Sequence, residues 1–302
     1  MIKSDRKIRV MQWNTLARAL FSQTDPHMGY TFASKEAELK VFDWDNFRRW
    51  RILEEILRYD NDIICLEELD SYEEFKPILH SIGYTSVFCP KYESSCLFMQ
   101  THVGPDGCAI FYKQNKFQIN NLHCENIFVN ESNQSQVFII LELRHLVTNK
   151  MITIVCLHLK SKVQNSERRK HQIEYILKIL KRHLNTGNGE SGEDRSSIII
   201  CGDFNGEPFE DFYSNIVNDK ELKFYDSYEK CVDSNDKRLP STIKIREPNG
   251  LITRLIDYIF YTPKSLKLTQ YLKLPENKEI EPLPNLSYAS DHLSLVSDFE
   301  IL

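Results

Sequence analysis

The sequence lacks the features that direct a chain into a membrane or through secretion. No run of apolar residues approaches the roughly 18 that span a bilayer. The first residues, MIKSDRKIRVMQWN, are charged and contain no apolar signal core. We therefore expect a cytoplasmic protein, or a mitochondrial one if a presequence precedes this chain. No internal repeat or proline-rich linker divides the 302 residues, so we expect a single domain over residues 1–302.

Two common kinds of binding motif are also missing. The eight cysteines include no C-x-x-C pair, which argues against a zinc site, and several lie in apolar runs typical of reduced core thiols. GPDGC lacks the spacing of the glycine-rich dinucleotide fingerprint, so a dinucleotide bound here would be a substrate and not a hydride carrier. The net charge of −5 disfavours binding of nucleic acid through a bulk positive field, although a local basic groove remains open.

Short strand-like runs alternate with helical patterns along the whole chain. Seven runs have the length and composition of strands: KIRVMQW, NDIICLE, CAIFYK, VFIILELRHL, MITIVCLHL, SIIICGDF and LIDYIFYT. Residues 45–60 and 165–184 repeat apolar side chains at helical spacing, with charges on the opposite face. Some strands are separated only by short turns. The pattern therefore predicts mixed β-sheets with helices packed against them.

Polar side chains stand where six of the apolar segments end or turn. These residues are Asn14, Glu67, Glu68, Asp70, His158, Lys160, Asp203, Asn205, Asp257, Asp291 and His292. Any one of them has a simpler explanation as a turn or a solvated strand end. A buried charge is costly unless it is paired or bound to a metal, and six such segments in one chain are hard to assign to chance. We expect them to converge on one site around a cation.

The residue types indicate the chemistry of that site. Carboxylates, amides and imidazoles without cysteine suit Mg²⁺, for which Mn²⁺ can substitute, and they suit the hydrolysis of a phosphate ester. Asp203 can take a proton from the attacking water while Asn205 holds that water in line. His292, oriented by Asp291, can stabilise negative charge in the transition state. Further hydrogen-bond donors at the same strand ends are Asn14 and His158.

The motifs QWNTLA, CLEELD, GPDGCAIF, LHLKSK, GDFNGEP, STIKIR, RLIDYIFY and YASDHLSLVSDF occur in the order seen in the endonuclease/exonuclease/phosphatase superfamily. Over residues 8–300 the chain resembles the deadenylase-related branch of that superfamily. The resemblance implies an α+β, DNase I-like catalytic domain. Its fold is a four-layer α/β/β/α sandwich, in which two mixed β-sheets pack face to face and helices cover the outer faces.

The resemblance also implies a role for each matching position. Glu68 corresponds to the metal-binding glutamate, and Asp203 corresponds to the aspartate that activates or positions water, with Asn205 as its partner. The remaining positions are implied to lie around the metal and the phosphate: Asn14 at both, His158 at the phosphate, Asp257 near the metal, and Asp291 with His292 as the terminal pair.

The substrate is open between two classes in this branch. One is poly(A), which is shortened from its 3′ end, and the other is NADP⁺ or NADPH, which loses its 2′-phosphate to give NAD⁺ or NADH. NADP(H) is a compact ligand that carries a phosphomonoester and, separately, a diphosphate, so its binding needs a few well-placed cations. The candidate substrate-binding residues are Lys91, Lys160, Lys162 and Arg246, with Asn205. The negative net charge and the lack of an added RNA-binding segment favour NADP(H). A catalytically weak nucleotide-binding or regulatory relative is a third alternative, and we expect a monomer.

The chain departs from the pattern of its relatives at three positions. Lys162 stands where Arg is usual, and lysine lacks the bidentate fork that grips a phosphate. Glu67 replaces Gln beside the metal-binding glutamate, so we expect it to raise the pKa of a neighbour. Ile243 replaces Trp, from which we expect the loss of a stacking surface for a base or the nicotinamide ring.

Overall fold

The computed structural model describes residues 6–21, 30, 32, 34–129, 132–186, 196–246, 248–276 and 281–302. The strands of this part of the chain are β1 (Lys7–Asn14), β2 (Ile63–Glu67), β3 (Tyr84–Pro90), β4 (Gly107–Lys113), β5 (Phe117–Val129), β6 (Ser132–His145), β7 (Met151–His158), β8 (Ser197–Asp203), β9 (Tyr225–Asp226), β10 (Thr242–Arg246), β11 (Gly250–Arg254), β12 (Asp257–Tyr261), β13 (Leu266–Tyr271) and β14 (Leu295–Ile301). Its α-helices are α1 (Lys35–Phe42), α2 (Arg49–Arg58), α3 (Tyr72–Ser81), α4 (Ser166–Thr186) and α5 (Asp211–Val217).

The strands form two six-stranded sheets and one separate hairpin. The first sheet has the order β13-β14-β1-β2-β4-β3, the second has the order β5-β6-β7-β8-β12-β9, and β10 pairs with β11 alone. β1 runs parallel to β2, and β7 runs parallel to β8. The other strand pairs of the two sheets are antiparallel. Both sheets are therefore mixed, as the short turns between some strands predict.

The two sheets pack face to face over a buried apolar interior. Val10 and Ile110 of the first sheet share this interior with Ile139, Ile154 and Ile259 of the second. Such side chains recur at every second position because alternate residues of a strand point to the same face. Burying them on both inner faces removes apolar surface from water, which is the main favourable contribution to folding.

Helices cover the two outer faces. Ile52 and Ile56 of α2, with Phe75 of α3, pack against the outer face of the first sheet. Ile176 of α4 and Phe212 of α5 pack against the second sheet. The predicted four-layer α/β/β/α sandwich is therefore confirmed. No helix in the described ranges has both the length and the apolar character needed to cross a bilayer.

Strand direction brings the predicted polar residues to one edge of the sandwich. Because β1 and β2 are parallel, their carboxyl ends coincide, and Asn14 pairs with Glu67. The carboxyl ends of β7 and β8 coincide in the same way, and His158 pairs with Asp203. β12 is antiparallel to β8, so its first residue, Asp257, also pairs with Asp203. One edge therefore carries the ends of five strands.

Gly202 permits the close approach of β7 and β8 at this edge. A Cβ atom on residue 202 would lie 1.9 Å from the carbonyl oxygen of Leu157, which no side chain tolerates. The glycine is thus required one residue before Asp203, where the second sheet delivers its carboxylate.

Candidate active site

Seven side chains at the strand ends form a cluster that we call the acidic floor: Asn14, Glu68, His158, Asp203, Asn205, Asp257 and His292. Nδ2 of Asn14 donates to Oε1 of Glu68 at 3.1 Å and to Oδ2 of Asp203 at 3.0 Å. Nε2 of His158 lies 3.6 Å from Oδ2 of Asp203 and 3.9 Å from Oε1 of Glu68. The floor therefore joins the first sheet to the second through polar contacts.

Two floor residues adopt left-handed backbone conformations. Glu68 has φ 54° and Asn205 has φ 52°, and such conformations cost of order 1–3 kcal/mol in a non-glycine residue. Hydrogen bonds hold both residues in place. The backbone N–H of Ala17 donates to Oε2 of Glu68 at 3.2 Å, and the N–H of Asn205 donates to Oδ1 of Asp203 at 2.8 Å. Glu68 comes one residue after the end of β2 and Asn205 comes two residues after the end of β8, so a sharp turn points each side chain back into the floor.

Asp203 lies in an environment that favours its neutral form. Burial raises the pKa of this carboxyl to about 7, and the nearby charges of Asp257 and Glu68 act in the same direction. His292 and the hydrogen bond from Asn14 oppose the rise without cancelling it. An additional positive charge beside Asp203 would favour its ionised form.

His292 is oriented by Asp257. Nδ1 of His292 lies 2.9 Å from Oδ2 of Asp257, whereas the nearest approach of Asp291 is 3.8 Å, to Nε2. The prediction that Asp291 orients this imidazole is therefore wrong, because the side chain of Asp291 turns toward other partners. Burial alone would lower the pKa of His292, but Asp257, Asp291 and Asp203 outweigh it and raise the pKa to about 9. His292 is a cation at neutral pH.

His158, in contrast to His292, is uncharged at neutral pH. Burial lowers its pKa well below the usual value, and the positive charges of Lys91, His292 and Lys160 lower it further. Nζ of Lys91 lies 3.2 Å from Nδ1 of the ring, which leaves Nε2 facing the carboxylates and the cavity. The floor therefore contains one neutral imidazole, His158, and one imidazolium cation, His292.

Lys91 differs from the other predicted substrate-binding cations because it is buried and paired. Its Nζ lies 2.5 Å from Oδ2 of Asp106. Burial opposes the charged form of Lys91, but Asp106 and Glu68 outweigh it and raise the pKa of the ammonium. Lys91 lines the cavity above the floor while keeping its charge inside the protein.

The cavity above the floor has a volume of about 470 Å³ and a second wall of cations. We call this wall the cationic rim, and it consists of Lys160, Lys162, Lys244, Arg246 and Arg254. Lys160 and Lys162 form no ion pair with any residue that the structure describes. Burial lowers the pKa of Lys160, and the charges of Arg168, Lys91 and Lys162 lower it further. The mutual repulsion of these cations favours an anionic ligand in the cavity.

The three departures from the family pattern have different outcomes. Ile243 is 1% exposed and packs in the core between the sheets, so the predicted loss of a stacking surface is wrong. Alternate residues of a strand point to opposite faces. Thr242, Lys244 and Arg246 face the cavity, so residue 243 points away from it. Lys162 does line the cavity.

Glu67 lies beneath the floor and not in it. Burial raises its own pKa well above the usual value. Nε2 of Gln12 donates to its Oε2 at 2.7 Å. Burial raises the pKa values of the neighbouring thiols of Cys156 and Cys201, and Glu67 adds to both shifts. Asp70, at the same strand end, instead accepts the backbone N–H groups of Arg18 and Ala19.

The floor fits a divalent cation on the side of Glu68. Ligand atoms of Glu68, His158 and Asp203 all lie within 4.8 Å of one another, and a second such group combines Asp203 with Asp257 and His292. The second group is the poorer choice because His292 is protonated. In the first group, Glu68 and Asp203 offer carboxylate oxygens of the kind that Mg²⁺ or Mn²⁺ accepts. Nε2 of His158 carries the ring proton, because Nδ1 accepts a hydrogen bond from Nζ of Lys91. Burial, with the charges of Asp257 and Glu68, raises the pKa of Asp203, and a bound cation would favour its ionised form.

Three residues around the cavity were missed by sequence reasoning. Lys244 faces the cavity two residues before Arg246, and the period of two in a strand was the signal that identifies it. Gln12 precedes Asn14 by the same spacing, and its Nε2 donates to Oδ1 of Asp257 at 3.1 Å. Tyr30 contacts Asp291 and Arg246 from a segment without a periodic pattern, so no local signal points to it.

Carboxylates and histidines at the strand ends of a four-layer sandwich define a class of metal-dependent phosphohydrolases and nucleases. The sequence model of the endonuclease/exonuclease/phosphatase family matches residues 11–292. The chain therefore belongs to this family, as its motifs predict.

Within the family, the chain is similar to nocturnins, and this sequence-based prediction is confirmed. It is 35% identical to nocturnin of Xenopus laevis over 97% of this chain and 72% of that protein. It is 32% identical to nocturnin of Drosophila melanogaster over 98% of this chain, but it spans only 47% of that relative's length. The structure matches the human nocturnin catalytic domain with a bound sulfate anion at a TM-score of 0.77 and 32% identity, covering 98% of this chain and 95% of that one.

Proposed function

We propose that the chain is a Mg²⁺-dependent phosphohydrolase that removes the 2′-phosphate of NADP⁺ and NADPH. The observation that carries this proposal is the juxtaposition, in one cavity of about 470 Å³, of the acidic floor and the cationic rim. A 2′-phosphate at the floor and a diphosphate at the rim would each meet the chemistry that suits it. The resemblance to nocturnins supports the choice of a dinucleotide.

The floor supplies the hydrolytic chemistry. Glu68, with Asp203, would hold the cation, which neutralises phosphoryl charge and lowers the pKa of bound water when present. Asp203 takes a proton from the attacking water, and Asn205 holds that water in line. The water oxygen bonds to phosphorus as the bond from phosphorus to the 2′-oxygen breaks. The departing 2′-oxygen takes up one proton, equivalent to the proton that Asp203 accepted, so the products are inorganic phosphate and a 2′-hydroxyl.

The remaining floor residues stabilise the charge that develops on the phosphoryl oxygens. His292 is cationic and buried, and Asp257 fixes its ring at 2.9 Å, so it can donate from Nε2 without reorganising. Asn14 is an additional donor at the same point. Preorganised donors in a buried site are worth more than the same donors in water, because solvent does not screen them.

The rim favours a compact substrate over a long polynucleotide. Its cations surround one cavity, and the chain as a whole carries a net charge of −5. A protein that tracks a single strand instead combines a continuous positive groove with stacking platforms. The 3′-5′ poly(A) exoribonuclease activity is therefore the second candidate, supported by the resemblance to the deadenylase-related branch.

Release of inorganic phosphate from NADP⁺ and NADPH with Mg²⁺ tests the proposal, run beside shortening of an oligo(A) RNA. We expect phosphate release with the RNA left intact, and we expect Asp203→Ala to abolish it. Asp211→Ala is a matched control, because it removes an exposed aspartate at the start of α5, away from the floor. RNA shortening without phosphate release would replace the dinucleotide phosphatase with the exoribonuclease. Turnover of neither substrate would contradict both.

A further inference from the structure

Asp291 gathers three side chains at the rim. Its Oδ2 accepts a hydrogen bond from the hydroxyl of Tyr30 at 2.7 Å and lies 2.5 Å from Nζ of Lys244. A guanidinium nitrogen of Arg246 lies 3.5 Å from the same oxygen. Asp291 is 2% exposed, and Lys244, His292 and Arg246 outweigh the effect of burial and hold its pKa well below the usual range. One buried carboxylate therefore faces two rim cations, which leaves a surplus of one positive charge.

Tyr30 holds Arg246 through three separate contacts. The guanidinium lies over the ring at 4.4 Å from its centroid, and one of its nitrogens donates to the hydroxyl at 2.5 Å. The backbones of the two residues also form an isolated antiparallel bridge. The hydroxyl of Tyr30 accepts a hydrogen bond from Arg246 and donates one to Asp291. It therefore fixes the position of Arg246 relative to the carboxylate of Asp291.

The ring of Tyr30 is anchored from behind. It packs edge-on against Phe21 at 5.2 Å between ring centroids, within a cluster whose buried members are Leu16, Phe21 and Val41. Arg246 lies on β10, which belongs to a two-stranded sheet separate from the main sandwich. Such a hairpin is marginally stable alone, so its position depends on the contacts that it makes. Tyr30 supplies contacts of this kind at the far end of β10.

Arg246 retains donor capacity after these contacts. Its Nε atom is buried and has no hydrogen-bond partner among the residues that the structure describes. A buried donor without a partner lowers the stability of the protein. Arg246 itself lines the cavity that contains the floor, and its side chain is 28% exposed, so an anion in the cavity can meet its guanidinium.

We propose that Tyr30 is a positioning residue that sets Arg246 to bind a second anionic group of the substrate, separate from the phosphate that reacts at the floor. This inference rests on the proposed function, in which that second group is the diphosphate of NADP(H). Tyr30 touches neither the reacting phosphate nor the cation. Its effect is therefore expected in the binding of dinucleotides and not in the chemical step.

Equilibrium binding tests this role without turnover. Calorimetry would measure Kd for NADP⁺ and for adenosine 2′-monophosphate, which lacks the diphosphate, in an Asp203→Asn background with Mg²⁺. Tyr30→Phe keeps the ring over Arg246 and removes only the hydroxyl. We expect it to raise Kd for NADP⁺ about tenfold, consistent with the loss of a hydrogen bond to a charged group, and to change Kd for adenosine 2′-monophosphate less than twofold.

Two further proteins separate positioning from a general structural effect. In an Arg246→Met background, Tyr30→Phe should add no further loss, because the two residues act on the same anion. Tyr225→Phe removes a hydroxyl from a tyrosine that is 57% exposed in β9, and it should leave both Kd values unchanged.

The outcomes also distinguish this inference from the proposed function. Equal weakening of both ligands by Tyr30→Phe, no weakening of either, or no binding of either ligand by the Asp203→Asn protein would overturn the positioning role. Phosphate release by the unmodified protein decides the proposed function separately. Selective weakening of NADP⁺ binding, without any release of phosphate from NADP⁺, would support Tyr30 and contradict the phosphatase.

Discussion

The acidic floor and the cationic rim face the same cavity but are built in different ways. The floor comes from strand ends in both sheets, and Asp203 and His292 are 1% and 5% exposed. The rim comes from the loop after β7 and from a separate hairpin, and Lys162 is exposed. Floor side chains are held by one another, whereas Lys160 and Lys162 form no ion pair with described residues. The floor is therefore fixed by contacts among its own members, whereas Lys160 and Lys162 at the rim are not fixed in this way.

Lys91 shows that the difference between fixed and unpaired cations around the cavity does not depend on residue type. It is a lysine like Lys160, but it is buried against Asp106 and His158 and lies next to the floor. Lys244 of the rim is likewise paired with the buried carboxylate of Asp291, whereas Lys162 is exposed. We therefore expect substitutions in the floor to change the chemical step and substitutions in the rim to change substrate binding.

The largest expected effect is on the floor. Asp203→Asn should lower kcat for phosphate release by roughly 10²- to 10⁴-fold, because it removes the proton acceptor and weakens cation binding. The KM for NADP⁺ should change by less than about threefold, because the rim is untouched. Steady-state kinetics measure both constants, and circular dichroism confirms that the variant is folded. A kcat within tenfold of the unmodified protein would contradict the role of Asp203.

A smaller effect on kcat, with a change in pH dependence, is expected for Asp257→Asn. His292 acts as a cation, so activity is lost as pH rises through its pKa of about 9. Asp257 is the first of the carboxylates that raise this pKa, and without it the value should fall toward the ordinary 6.5. The alkaline limb of the kcat profile should therefore move to lower pH, and kcat at pH 8 should fall by up to about 30-fold.

Asp291→Asn provides the comparison for this pH profile. It removes a charge that also raises the pKa of His292, but it leaves Oδ2 of Asp257 against Nδ1. We expect a smaller displacement of the alkaline limb than in Asp257→Asn. A larger displacement in Asp291→Asn would return the orienting role to Asp291.

These predictions depend on positions that the sequence indicates to different degrees. The strand ends carrying Asn14, Asp203 and Asp257 could be predicted because each polar residue interrupts an apolar run that only a buried strand explains. The sequence could not show that Asp257, and not Asp291, orients the imidazole of His292. This orientation depends on where a side chain turns within the folded site, and adjacent residues in a sequence often contact different partners.

The rim could be predicted less completely than the floor. Arg246 stands in a recognisable motif, but the inward position of Ile243 depends on the register of β10 against β11, which a five-residue strand does not determine alone. Tyr30 reaches the rim across 216 positions of sequence, and no periodic pattern marks such a contact. Elements with a strong period were predictable, and contacts formed only by tertiary packing were not.

At the rim, Lys162 should control binding alone. Lys162→Met should raise the KM for NADP⁺ about fivefold to tenfold with kcat unchanged, because it removes one solvent-exposed cation from the wall of the cavity. Lys162→Arg should lower the KM severalfold, since a guanidinium can bind two phosphate oxygens at once. Steady-state kinetics on the three proteins measure this, and a fall in kcat in Lys162→Met would break the division between rim and floor.

The smallest effect on activity is expected for Ile243→Trp, which restores the residue usual in relatives. Ile243 is buried between the sheets, so the larger side chain should lower the free energy of unfolding by about 1–3 kcal/mol through overpacking. The KM for NADP⁺ should not change, because position 243 does not face the cavity. Urea denaturation gives the stability, and a fall in KM would indicate that the side chain reaches the substrate after all.

Mn²⁺ binding tests the division between floor and rim most directly. Calorimetry at pH 8 on the unmodified protein, Glu68→Gln and Lys162→Met would compare a floor carboxylate with a rim cation. We expect Glu68→Gln to weaken Mn²⁺ binding at least tenfold and Lys162→Met to leave it unchanged, because only the floor supplies ligands. Equal affinity in all three proteins would contradict the assignment of the cation to the acidic floor.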